Sequence, residues 1–205
     1  MAQDRLPGFE TFPSATAGRL RIVDVSRALP RAEGHSYPRR NPNQITRILV
    51  HQTQGAFAVE PEIALMREGE YFIAPPGAQG IGAGRGWPGF AYTYWVPWWP
   101  RVDGDRRIVV YRCQPDDVVS NHTHGATVDG VAVAFQGCFP PARGANCEPS
   151  DAQRIAFGEL AAHLLARHHL ASAALAPHSA LGKADCPGST LAAWITEFQR
   201  NGRLL

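Results

Sequence analysis

Three side chains in this sequence could together hold a metal ion: His51, His178 and Cys186. His51 closes the apolar run Ile48-Leu49-Val50, so a buried strand would deliver it to a sheet edge. His178 and Cys186 flank a loop, eight residues apart, in PHSALGKADCPG. Two imidazoles and a thiolate are a donor set for Zn²⁺ that leaves one tetrahedral corner vacant, the mark of a catalytic rather than a closed structural centre. Such a centre lowers the pKa of a bound water towards about 7 and polarises a carbonyl. The thiolate neutralises part of the metal's charge and tempers that acidity. Spacing alone does not single out this set. Eight histidines in 205 residues give such pairs by chance, and a histidine at a strand end is commonly a hydrogen-bonded structural residue.

The elements that must position these side chains read as strands interleaved with helices. Residues 45–53 (ITRILVHQT) have the length and branched content of a buried strand. Residues 61–71 open on Pro61 and carry Ile63, Leu65 and Met66, which predicts a helix with proline in its first turn. A Gly/Pro-rich loop over 74–89 leads to a second strand at 90–96 (FAYTYWV), and a third is expected at 107–113 (RIVVYRC). Residues 130–135 (GVAVAF) are almost continuously apolar and small, hence a central strand. Ser150 and Gln153 form a capping box for a helix with Ala156, Leu160, Leu164 and Leu165 on one face, running to about residue 168. A last helix follows Ser189, with Leu191, Ile195 and Phe198 at helical spacing, and ends before Gly202. The prediction is an α/β fold, a single domain over residues 42–205 with a central mixed β-sheet flanked by helices. Residues 1–41, rich in Pro, Gly and Arg, are expected to be an extension docked on that domain, with one short strand or turn at 20–25.

Composition narrows the function classes. Apolar residues make up 44% and charged residues 19%, an ordinary globular balance, and the net charge of +2 comes without a basic run, so no nucleic-acid partner is expected. No segment approaches the ~18–20 apolar residues that span a bilayer, and no stable membrane insertion is expected. The first 20 residues lack the apolar core of a secretory signal, which predicts synthesis in the cytoplasm and delivery by other means to any external target. Of the four cysteines, Cys138 and Cys147 could bridge a Pro/Gly-rich loop or remain free thiols.

Five segments, in order, carry a resemblance. ILVHQT (48–53) resembles the "strand, His-x-Thr" opening of the type 2 N-acetylmuramoyl-L-alanine amidases, the family that includes the peptidoglycan recognition proteins. RGWPGFAY (85–92) is similar to that family's RGWPGIGYH, NHTH (121–124) to its AHT turn, VAVAFQGCF (131–139) to its IGVALVGNF strand, and the stretch from His178 to Gly188 to its "H…CPG" close. The resemblance implies that His51, His178 and Cys186 hold Zn²⁺ and that the partner is peptidoglycan. It implies hydrolysis of the amide between N-acetylmuramic acid and L-alanine, with Tyr92 steadying the oxyanion through its phenolic O–H. Read bottom-up, Tyr92 could equally be a core tyrosine beside Tyr94 and Trp95. His122 matches a cleft histidine and is a candidate substrate contact. Trp87 and Trp95 are further candidates, because apolar sugar faces stack on aromatic rings; the plain alternative for the cluster Trp95, Trp98 and Trp99 is core and edge packing.

The chain also departs from the family pattern. Hydrolytic members carry Lys or Thr two residues before the last ligand, where this chain has Ala184; Lys183, one residue earlier, is the candidate replacement as an electrophilic helper. Ala134 and Gln136 occupy the stretch where the wall-recycling branch has a glutamate base. His124 is expected to face solvent, and His163, His168 and His169 to be surface or packing residues. Three readings stay open: a lytic amidase of the endolysin type or a delivered effector, a recognition module that binds peptidoglycan without cutting it, and a zinc-stabilised fold with an unrelated amide or ester substrate. A monomer is expected.

Overall fold

The computed structural model describes residues 11–53, 59–77, 84–139 and 148–203. In chain order the elements are β1 (Ser14–Ala17), β2 (Leu20–Asp24), β3 (Arg47–Gln52), α1 (Pro61–Ile73), β4 (Tyr94–Val96), β5 (Ile108–Arg112), β6 (Gly130–Phe135), α2 (Asp151–Arg167), β7 (Leu175–Pro177) and α3 (Ser189–Asn201). The strands form one mixed sheet in the order β1-β2-β5-β4-β6-β3-β7. β4, β6, β3 and β7 run parallel to one another, whereas β5 is antiparallel to β4. The expected α/β architecture is therefore present, with two strands drawn from residues 14–24.

Because successive strand residues face opposite ways, the sheet has two cores. Ile48, Val50, Val131, Val133, Phe135, Tyr94 and Val110 pack on the side that also gathers Leu160, Leu164, Ile195 and Phe198 from α2 and α3. Trp95, Val109, Tyr111 and Ala134 pack on the other side with Leu65 and Phe72 of α1. β6 is buried along its whole length, as its small apolar sequence requires at the centre of a covered sheet. The capping box of α2 forms as read: Ser150 accepts from the Gln153 amide, and the Gln153 side chain accepts from the Ser150 amide.

Two expectations need correcting. The second strand begins at Tyr94, not at residue 90. The carbonyls of Gly89, Phe90 and Ala91 are taken by side chains, from Tyr37, Gln114 and Ser120 respectively, instead of by a neighbouring strand. Tyr92 therefore lies on the approach to β4 and not within a ladder. β7 was not anticipated; three residues are too few to show a period, and only pairing with β3 makes them a strand. The Cys138–Cys147 question lies outside the described residues, which include Cys138 but not Cys147.

Candidate metal centre

β3 alternates Ile48 and Val50 into one core, so Leu49 and His51 face the side occupied by α1. In register, His51 lies beside Ala134 of β6, whose methyl leaves room for the imidazole. On its other flank β3 pairs in parallel with β7, with Val50 level with Pro177. The next step of that register brings His178 alongside His51, and their ring centroids are 4.5 Å apart. Two histidines separated by most of the chain thus become neighbours at the C-terminal ends of adjacent parallel strands.

Cys186 is carried to them by its loop, and Gln52 is the tie. Buried at the end of β3, Gln52 donates from Nε2 to the Asp185 carbonyl and accepts the Phe139 amide on Oε1. Behind the cysteine, Gly188 has φ of 90°, and a Cβ there would sit 2.2 Å from the Phe139 carbonyl oxygen. Only glycine lets that loop press against residue 139.

The donor atoms of His51, His178 and Cys186 all lie within 4.8 Å of one another, with Cys186 Sγ 3.8 Å from His51 Nδ1. Tetrahedral zinc with N and S ligands needs donor separations of about 3.3–3.6 Å, so the three donors stand slightly wider apart than a bound ion would hold them. Burial, and then the neighbouring His122 and His178, lowers the pKa of His51 well below its usual value; burial and Lys183 lower that of His178. Both imidazoles are thus neutral and have lone pairs to give. Burial pushes the Cys186 thiol up to about 11, so a metal must displace its proton. The residues fit a zinc ion.

The centre opens on a cleft of about 910 Å³. Tyr92 lines it, with its ring centroid 5.2 Å from that of His51; burial, then Glu68 and Cys186, raises its pKa, so the phenol is a neutral O–H donor. Lys183 is exposed on the rim. Trp87 is half-buried in the wall, stacked on Phe72 with 5.4 Å between ring centroids. His122 also lines the cleft, but both its ring nitrogens are engaged inside the protein, with Thr123 and the Gly130 carbonyl. Trp95 corrects an expectation: its relative exposure is 0%, so no sugar can stack on it. Its period-2 position in β4 turns it into the core under α1, where its indole N–H donates to Glu68 at 3.0 Å. In the same aromatic run Trp98 stacks on Phe139, and Trp99 is exposed. His124 is exposed, as expected.

Glu68 is the cleft residue that reading the sequence missed. It lines the cavity from α1, and burial pushes its carboxyl up to about 8 against the opposing hydrogen bond from Trp95. The signal was present: an acid three residues after Leu65 and four before Phe72, on the apolar face of the helix. No acid occupies the end of β6, where Ala134 is buried and Gln136 accepts the Trp98 amide.

No family model matches the chain, and no curated protein matches its sequence. Solved structures match its fold. Peptidoglycan recognition protein SD of Drosophila aligns with a TM-score of 0.66 at 15% identity, covering 87% of this chain and 94% of that one. The ectodomain complex of the recognition proteins LCa and LCx, solved with tracheal cytotoxin bound, gives 0.64 at 20% identity over 86% and 95%. The N-acetylmuramoyl-L-alanine amidase LysC from Clostridium intestinale gives 0.56 at 19% over 88% and 97%. The architecture is the one shared by amidase endolysins and peptidoglycan recognition proteins.

Proposed function

We propose that this protein is a zinc-dependent amidase that hydrolyses the bond between N-acetylmuramic acid and L-alanine in peptidoglycan. The observation that carries the reading is the meeting of two imidazoles and a thiol, drawn from β3 and from the loop after β7, at the head of an open cleft that Tyr92 also lines. The chain's fold likeness to an N-acetylmuramoyl-L-alanine amidase and to peptidoglycan recognition proteins solved with tracheal cytotoxin supports peptidoglycan as the substrate class.

His51, His178 and Cys186 would hold the ion. When bound, zinc supplies Lewis acidity for the scissile carbonyl and an acidified water as nucleophile. Tyr92, half-buried where it lines the cleft, remains protonated and donates to the oxygen on which negative charge develops. Lys183, exposed at the rim, adds a second donor, an ammonium, for that oxygen from a position next to the helper residue of the resembling family. Trp87 offers the cleft an apolar wall for a sugar ring or the peptide stem.

Metal analysis of the purified full chain should find about one zinc per chain, and the protein should clear a peptidoglycan suspension. Cys186→Ser or His51→Ala should lose both zinc and clearing. Undiminished hydrolysis by either variant defeats the proposal. Ala184, standing where hydrolytic relatives carry Lys or Thr, favours a second reading as a recognition module. That reading expects sedimentation with peptidoglycan and no release of stem peptides.

A further inference from the structure

The second nitrogen of His51 leads into a chain of buried polar groups whose direction can be worked out. His51 Nε2 lies 3.4 Å from Thr123 Oγ1, and Thr123 Oγ1 lies 3.1 Å from His122 Nδ1. His122 Nε2 in turn lies 3.2 Å from the Gly130 carbonyl oxygen. All three side chains are buried. A carbonyl only accepts, so His122 must carry its proton on Nε2. A buried neutral imidazole has a single N–H, which leaves Nδ1 as an acceptor. The one hydroxyl proton of Thr123 therefore points at His122, and its oxygen lone pair is turned towards His51. The proton of His51 then belongs on Nε2, and its lone pair on Nδ1, the atom nearer Cys186 Sγ.

The far end of the chain is also held. Arg40, 7% exposed, donates from Nη1 to the same Gly130 carbonyl at 2.7 Å and to the Thr127 carbonyl at 2.7 Å. That cation beside the shared carbonyl disfavours a second charge on His122. Glycine at 130 is part of the device: a Cβ there would stand 3.3 Å from His122 Cε1 and 2.6 Å from the Ala126 carbonyl oxygen.

We infer that Thr123 and His122, anchored through Gly130 by Arg40, are positioning residues that lock His51 in its Nε2–H tautomer and so present Nδ1 as the metal-binding atom. The inference deepens the zinc reading and rests on it for its purpose, but the tautomer itself exists without metal. A histidine ligand free to exchange tautomers spends part of its time with a proton where the metal should be. A partner for its other nitrogen removes that competition and raises ligand basicity.

The test uses the full chain, first metal-free. Long-range ¹H–¹⁵N NMR correlation of the imidazoles should show His51 protonated on Nε2 in the parent. In Thr123→Val, which keeps the shape and removes the hydroxyl, the His51 pattern should become mixed, and it should return in Thr123→Ser. Competition with a chelator for Zn²⁺ should show affinity lowered by about 10–100-fold in Thr123→Val and close to parent in Thr123→Ser. A parent His51 protonated on Nδ1, or parent-like zinc affinity in Thr123→Val, overturns the inference. The parent spectrum decides the tautomer even if Thr123→Val fails to fold. A parent that shows the Nε2–H form yet takes up no zinc sinks the metal reading while leaving the relay standing, so the two failures are distinct.

Discussion

Replacing Gln52 by methionine should damage the fold and the metal centre together, because one buried amide ties three segments. Methionine nearly matches the length and volume of glutamine but makes neither of its hydrogen bonds. The Phe139 amide, deep in the core, would be left without its acceptor, at a cost of about 1–3 kcal/mol for an orphaned buried donor. The Asp185 carbonyl is nearer solvent and can rehydrate, so the loss there is about 0.5–1.5 kcal/mol. Together these give roughly 1.5–4.5 kcal/mol, which for a domain of this size lowers Tm by about 3–18 °C. Urea unfolding followed by tryptophan fluorescence should show a lower midpoint with an unchanged slope, since the surface exposed on unfolding is the same. Zinc affinity should fall as well, because the peptide before Cys186 is no longer tethered to the strand that carries His51. Parent-like stability, within about 0.5 kcal/mol, would refute the reasoning, since surface-like tolerance has that size. Lost stability with intact zinc affinity would refute the coupling between this tie and the site.

Glu68 has its pKa raised to about 8 by burial, so the folded protein holds a proton there that the unfolded chain gives up near its ordinary pKa. The parent should therefore lose stability relative to Glu68→Gln as pH climbs from about 4.5 through 8, measured by urea titration across that range; a pH-independent difference would contradict it. Asp116 behaves oppositely. Burial works against its ionisation, but hydrogen bonds from Arg167 and Tyr94, with His168 Nε2 3.3 Å away, outweigh it and hold the carboxyl well below the usual range. Asp116→Asn should cost about 1–3 kcal/mol at neutral pH. That gap should start to narrow as pH falls below about 4, where the unfolded chain's carboxylate takes up its proton, and should close fully only once the folded one does, well below the usual carboxylate range; a gap that does not narrow at all between about pH 4 and 2 would refute the assignment. Gly188→Ala should force the Cys186 loop away from the Phe139 carbonyl and cost at least the ~1–3 kcal/mol of a strained backbone. Isothermal titration with Zn²⁺ should find its binding weakened, and a variant that binds like the parent would show that the loop has slack.

Periodicity and local chemistry made much of this protein legible before any coordinates. The apolar run before His51, the all-small strand at 130–135, the capping box at Ser150 and the glycine stop at 202 each correspond to an element whose cause is local. What stayed hidden depends on partners far away in the chain. β7 is a strand only because β3 lies beside it, and that pairing alone brings His178 level with His51. Trp95 and Tyr92 are near neighbours in an aromatic stretch, yet one is sealed under α1 and the other faces the cleft. Alternation within β4 buries the first, while side chains from residues 37, 114 and 120 pull the backbone before the second out of any ladder. The sequence could place Glu68 on an apolar helix face and Thr123 in the NHTH turn, but a carboxyl's proton and a hydroxyl's direction are set by burial and by the acceptors around them. Residue types could name the donors of a metal site. Their distances, tautomers and protonation are properties of the packed molecule, in which groups more than a hundred residues apart share one small space from which water is largely excluded.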